Sequence, residues 1–207
     1  MSHLFSIDRF LAGMALPFRG HNEGSKAGVK RGLFLEFVQY MADNGDEILK
    51  RHLMTAPKNA TYLSHDIQNQ MIGIGGRAVK SKIIQLVKEA KVFVIMMDET
   101  RDLSHVEQVI VVARFEEKGT AKVQERMLAL VATHSTTGEA LESFLLSVLE
   151  KCGLDVENLV GQCYDGGSNL SGVFEGVQAR ILEKNALAVF THCFAQSQPR
   201  CRQCYEP

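Results

Sequence analysis

Apolar residues recur at helical spacing over residues 1–90, and the pattern turns strand-like from Lys91 onward. Phe10, Leu11, Met14 and Ala15 predict a helix within Phe5–Leu16. Pro17, Gly20, Asn22, Gly24, Ser25 and Gly28 then break the chain. Leu33, Phe37, Tyr40 and Met41 share one face of a second predicted helix over Gly32–His52. After a connection at Pro57–Tyr62, Ser64 reads as the N-cap of a long helix over His65–Ala90. Ile67, Met71, Ile74, Ala78, Ile83 and Val87 would point inward on it, with Gly73, Gly75 and Gly76 as a weak middle where it could break. Its basic residues Arg77, Lys80, Lys82, Lys88 and Lys91 fit a solvated face or a phosphate-contacting one.

Val92–Met97 is six consecutive apolar residues ending at Asp98, the pattern of a central strand buried on both faces. Val106–Phe115 and Val123–Ala132 are two further strand runs joined by a short turn, hence a hairpin. Gly138–Cys152 is amphipathic, with Thr136 or Thr137 as its cap and Gly153 as its stop. Leu159–Tyr164 reads as a fourth strand, Leu170–Lys184 as a helix and Leu187–Thr191 as a fifth strand. The order strand, strand, strand, helix, strand, helix, strand is α/β with a mixed sheet. It is also the order of the ribonuclease-H-like fold. The expected class is therefore α/β, a ribonuclease-H-like mixed sheet preceded by a helical N-terminal region, which the family resemblance given below implies to be incomplete.

Composition narrows the function classes. At 207 residues, 45% hydrophobic and 23% charged, the chain is ordinary globular material for one or two domains. A formal net charge of -1 argues against a wholesale basic wrap around nucleic acid, while a local patch stays open. Four prolines and 17 glycines exclude a collagenous or Pro-rich chain. No apolar run reaches the roughly 18 residues of a membrane span, and the N-terminus carries no secretory core. Five cysteines, three of them in residues 193–207, fit a reducing intracellular compartment better than a disulfide framework.

Two acids sit where strands are expected to end: Asp98 after the first and Asp165 after the fourth. In a ribonuclease-H-like sheet those strands are neighbours, so the carboxylates would converge. Converging carboxylates repel unless a hard cation lies between them, and Mg²⁺ favours oxygen ligands. A pair of such ions can activate water and stabilise a leaving oxygen in phosphodiester cleavage. The same two residues also fit ordinary turn and cap positions. Glu99 and Asp102 compete with Asp98; Asp98 is favoured because it follows the apolar run directly, and Asp102 resembles turn chemistry. Gly166-Gly167-Ser168-Asn169 lacks the Gly-Lys-Ser/Thr of a P-loop, and Gly73, Gly75 and Gly76 follow no strand, so nucleotide fingerprints fail. His192, Cys193, Cys201 and Cys204 have zinc-ligand chemistry but no apolar pattern to fold a knuckle on.

The chain resembles the transposase-derived proteins of the hAT superfamily, including their zinc finger MYM-type group. The resemblance rests on Phe10-Leu11-Ala12 through Leu16-Pro17-Phe18-Arg19-Gly20-His21, Pro57-Lys58-Asn59-Ala60 and Asp66-Ile67-Gln68-Asn69. It continues through Met97-Asp98-Glu99-Thr100-Arg101-Asp102, Thr136-Thr137-Gly138-Glu139-Ala140, Tyr164-Asp165-Gly166-Gly167-Ser168-Asn169-Leu170-Ser171-Gly172, Gly176-Val177-Gln178-Ala179 and His192-Cys193-Phe194-Ala195. It implies a helical region of a domain of unknown function over residues 1–90, then a partial ribonuclease-H-like core over 91–195. It implies Asp98 and Asp165 as the first two of three metal-binding acids, with Mg²⁺ or Mn²⁺ as the ancestral cofactor and DNA as the ancestral partner. Protein partners or a homo-oligomer belong to the full-length family, and a nuclear, non-membrane location follows. The third acid, a Glu, is expected beyond the fifth strand, so the expected chain is a vestigial site without enzymatic turnover, a domesticated binding or regulatory module, or a transposon relic.

The family pattern His-Cys-x-Ala-His followed by Leu-Asn-Leu is departed from at Gln196, and Pro199 would break the helix expected there. Gln196-Ser197-Gln198-Pro199-Arg200 can be encoded by a string whose shifted frame reads Ser-Leu-Asn-Leu-Val. Residues 196–207 are thus expected to be a disordered, frame-shifted tail in which Cys201 and Cys204 have no ligand role.

Overall fold

The computed structural model describes residues 2–20, 31–57, 59–101, 106–133 and 135–193, with the Arg101 side chain excluded. The expectations for residues 194–207, including Cys201, Cys204 and the shifted frame, lie outside the described residues, as does Asp102. The chain divides into two compact units, Met1–Val79 and Lys80–Pro207.

The first unit is helical. Helix α1 spans Ser2–Gly13, α2 Leu33–Asp43, α3 Glu47–Thr55, and α4 begins at His65. The predicted helix over Gly32–His52 is two helices. Asn44-Gly45-Asp46 divides it: Gly45 takes φ +107, open to glycine and strained for other residues, and the Asp46 side chain accepts from the Leu49 N–H at 2.9 Å to cap α3. The buried stripe also differs from the predicted one. Phe34, Val38 and Ala42 face inward, whereas Leu33, Tyr40 and Met41 are exposed. Phe34, Val38 and Ala42 pack with Leu4, Ile7, Leu11, Leu49 and Met71 in one apolar cluster. Helix α4 runs unbroken over His65–Ala90 through its glycines, with Ser64 Oγ accepting from Ile67 N–H. Ile74 and Ala78, predicted inward, are exposed.

The second unit is a five-stranded sheet in the order β3-β2-β1-β4-β5. Its strands are β1 Phe93–Arg101, β2 Glu107–Glu117, β3 Lys122–Ala132, β4 Leu159–Tyr164 and β5 Val189–His192. β2 pairs antiparallel with β1 and β3, and β4 pairs parallel with β1 and β5. The sheet is mixed, as the element order implies. Helix α5 spans Gly138–Cys152, capped by Thr137 and stopped by Gly153 at φ 60. The predicted helix over Leu170–Lys184 is two pieces, α6 Ser168–Ser171 and α7 Val177–Lys184, separated by a Gly172–Gly176 turn. Gly176 N–H donates to Gly172 O, and a Cβ on either glycine would lie within 2.4 Å of backbone.

One face of the sheet carries the core. Phe93, Ile95 and Met97 of β1 join Val109, Val111, Ala113 and Phe115 of β2 against Leu141, Leu145 and Leu149 of α5 and Ile181 of α7. Burying one such aliphatic side chain contributes about 1.5–3 kcal/mol. Gln162, fully buried, donates from its amide to Gln178 O at 3.1 Å and Ala188 O at 2.9 Å, fastening α7 and β5 to β4. The other face is only partly covered: Val94 and Met96 are half-buried. The Val92–Met97 run was expected to be buried on both faces; one face alone is.

Candidate metal-binding edge

Strand β1 continues to Arg101, so Asp98 lies within the strand and not at its end. Strand alternation places Asp98 with Val94 and Met96 on the partly covered face, opposite Ile110 of β2. The β1–β4 pairing runs to Met96–Cys163. Continuing that parallel register by two residues sets Asp98 opposite Asp165. The β4–β5 pairing runs to Tyr164–His192, with Cys193 N–H donating to Tyr164 O at 2.8 Å, which sets Cys193 beside Asp165. One row across the sheet is therefore Ile110, Asp98, Asp165 and Cys193.

The side chains follow that row. Asp98, Asp165, Cys163 and Cys193 line one cavity of about 290 Å³, floored by Met96, Ile110 and Val112. The two sequence-predicted acids are thus brought to one cavity. Asp98 is exposed and its Oδ1 accepts from Glu99 N–H at 2.9 Å. Asp165 is half-buried and its Oδ1 accepts from Gly167 N–H at 3.0 Å, folding the turn after β4 back on itself. Burial pushes the Cys163 thiol up, and the neighbouring Cys193 adds to this.

Glu99 has the opposite parity. It pairs with the buried Val109 and points to the helix-bearing face. Its Oε1 accepts from Asn169 Nδ2 at 2.7 Å, and the same nitrogen donates to Thr136 O at 3.0 Å. Burial raises the Glu99 carboxyl; the Asn169 bond opposes this, and Asp165, Glu107 and Asp98 reinforce it. In the sequence Glu99 stands only as a rival to Asp98, and nothing there points to the Asn169 contact or to the nearness of Cys193. A signal for Glu99 was present: Phe93, Ile95 and Met97 point inward, so the next odd position does too, and a half-buried acid requires a partner.

Two carboxylates in one cavity supply hard oxygen donors suited to a single cation whose remaining positions are filled by water, the usual way Mg²⁺ is held. The thiols and apolar floor add no hard ligand. Among the described residues, no group of three or more His, Cys, Asp and Glu could hold a metal ion. Among the described residues, the donor set suits one divalent cation.

A family model described as ZMYM1/FAM200, RNase-like domain (DUF4371) matches residues 1–176. The chain belongs to this family. Its resemblance to transposase-derived proteins and its mixed α/β sheet agree with that membership. Two relatives are the 52 kDa repressor of the inhibitor of the protein kinase of Homo sapiens and that of Mus musculus, each 24% identical over 198 residues. The match covers 93% of this chain and 26% of each relative, so the chain spans about a quarter of the curated relatives' length. Among the described residues, no helix of this RNase-like domain is long and apolar enough to cross a membrane.

Proposed function

We propose that the Asp98–Asp165 edge is the remnant of a DNA strand-cleavage and transfer site of an hAT transposase, and that in this chain it binds one divalent cation without sustaining turnover. The observation that carries this reading is the shared cavity at the end of the parallel β1–β4 pair. Mg²⁺ or Mn²⁺ bound there would supply positive charge to a phosphodiester oxygen. Asp98 and Asp165 hold the cation from one side, and the Gly167 N–H bond keeps one Asp165 oxygen oriented. Turnover fails because in-line displacement needs charge stabilisation at both the attacking and leaving oxygens, and two carboxylates support only one ion.

Calorimetry with Mn²⁺ tests the reading. Weak binding is expected, with a dissociation constant of about 10⁻⁴–10⁻³ M, abolished by Asp98→Ala and by Asp165→Asn. Binding that survives both substitutions would place the cation elsewhere. A second reading, a regulatory module acting in the nucleus through DNA or protein, is supported by the word repressor in the names of both relatives.

A further inference from the structure

We infer that Glu99 is a positioning residue that clasps the Asp165 turn onto β1 through Asn169 and so sets the spacing of the two candidate ligands, an inference that rests on the reading of Asp98 and Asp165 above. The backbone cannot do this work alone. Pairing between β1 and β4 stops at Met96–Cys163, two residues short of Asp165. On its other side the turn is held to β5 by Cys193 N–H on Tyr164 O. Toward β1, the link among the described residues is the 2.7 Å bond from Asn169 Nδ2 to Glu99 Oε1. Asn169 uses its second N–H on Thr136 O, so its amide joins three segments: β1, the entry to α5 and the turn itself.

The turn is tight enough to transmit the constraint. A Cβ on Gly167 would meet Asn169 Oδ1 at 2.7 Å and Asp165 Oδ1 at 3.1 Å. Gly167 O accepts from the N–H groups of Leu170 and Ser171 while Gly167 N–H donates to Asp165 Oδ1, so the segment that carries Asn169 is bonded to the residue that orients Asp165. Glu99 does not share the cation, because strand alternation sends its side chain to the face opposite Asp98. A hydrogen bond to a charged acceptor is stronger than a neutral one, which suits a carboxylate to this clasp.

The test uses the full chain and two readouts: hydrogen exchange at the Gly167 amide, which reports the turn without metal, and Mn²⁺ calorimetry. Glu99→Ala and Asn169→Ala should each speed Gly167 exchange and weaken Mn²⁺ binding by about tenfold. Glu99→Gln keeps an accepting oxygen and should stay within about threefold of wild type on both. The double alanine variant should be no worse than Asn169→Ala alone, since that substitution already removes the bond to Glu99 along with the one to Thr136 O. Exchange at Val111, in the β1–β2 ladder, must stay slow; if Glu99→Ala loses that protection, Asn169→Ala decides alone. Unchanged Gly167 exchange in Asn169→Ala overturns the clasp. So does Glu99→Gln losing Mn²⁺ like Glu99→Ala while Gly167 exchange stays slow, which would make the charge itself the ligand. No Mn²⁺ binding by wild type would overturn the cation reading, and the Gly167 readout would still decide the clasp.

Discussion

Asp46 shows how much one side chain can decide. Its Oδ1 accepts from Leu49 N–H and its other oxygen shares a hydrogen bond with His3. The Leu49 bond, with His3 adding to it, holds the carboxyl below its ordinary 3.8. A lowered folded value means that the stabilisation is complete above the unfolded value and is lost as pH falls through the folded one. Asp46→Ala should therefore cost about 1 kcal/mol at pH 7, read from urea unfolding, and the gap should narrow as pH falls below the ordinary value of 3.8. A gap that persists there would mean that the cap works without its charge. Asp46 also marks what the sequence concealed. Apolar spacing alone joined Gly32–His52, because Asn-Gly-Asp within a periodic stretch was outweighed by the face on either side. Asp98 was legible because six apolar residues point straight at it. Glu99 was not, because its inward orientation depends on β1 continuing past Asp98, which its acidic and polar end obscures.

At the scale of elements, boundaries were readable where a cap and a stop bracket one amphipathic run. Helix α5 and strand β4 occupy the predicted Gly138–Cys152 and Leu159–Tyr164, the first set by Thr137 and by Gly153 in the left-handed region. They were unreadable where glycine serves a long-range contact. Gly172–Gly176 interrupts a helical pattern because the turn must pass within van der Waals range of α6 and α5. Gly138 is the other half of that contact: a Cβ there would lie 2.2 Å from Glu175 O and 3.1 Å from Asn169 O, both backbone atoms. Gly138→Ala should thus destabilise the chain by about 1–3 kcal/mol despite alanine's better helix propensity. Gly76, inside α4 with open space around its Cβ position, should respond oppositely, and Gly76→Ala should stabilise by about 0.5–1 kcal/mol. Urea midpoints of the two variants decide the matter: a raised midpoint in Gly138→Ala would refute the packing argument, and a lowered one in Gly76→Ala the propensity argument.

At the scale of the molecule, the mixed sheet brings together what lies far apart in the chain. Asp98 and Asp165 share a cavity because β1 and β4 are parallel neighbours, a placement that follows from element order and needs no contact visible in the sequence. A formal net charge of -1 supplies no long-range attraction of the whole chain for DNA, and local Lys and Arg contacts to phosphate would position DNA without supplying a second ion. The 207-residue chain, incubated with DNA carrying transposon ends and either Mg²⁺ or Mn²⁺, should therefore neither nick nor join it. On the reading proposed above, the two carboxylates would hold one ion, and a displacement that lacks the second loses the stabilisation of one of its two reacting oxygens. The control is Asp165→Asn. Cleavage present in the wild type and removed by that substitution would mean that another group completes the site around the β1–β4 edge, and the reading of a vestigial centre would give way to that of a working nuclease.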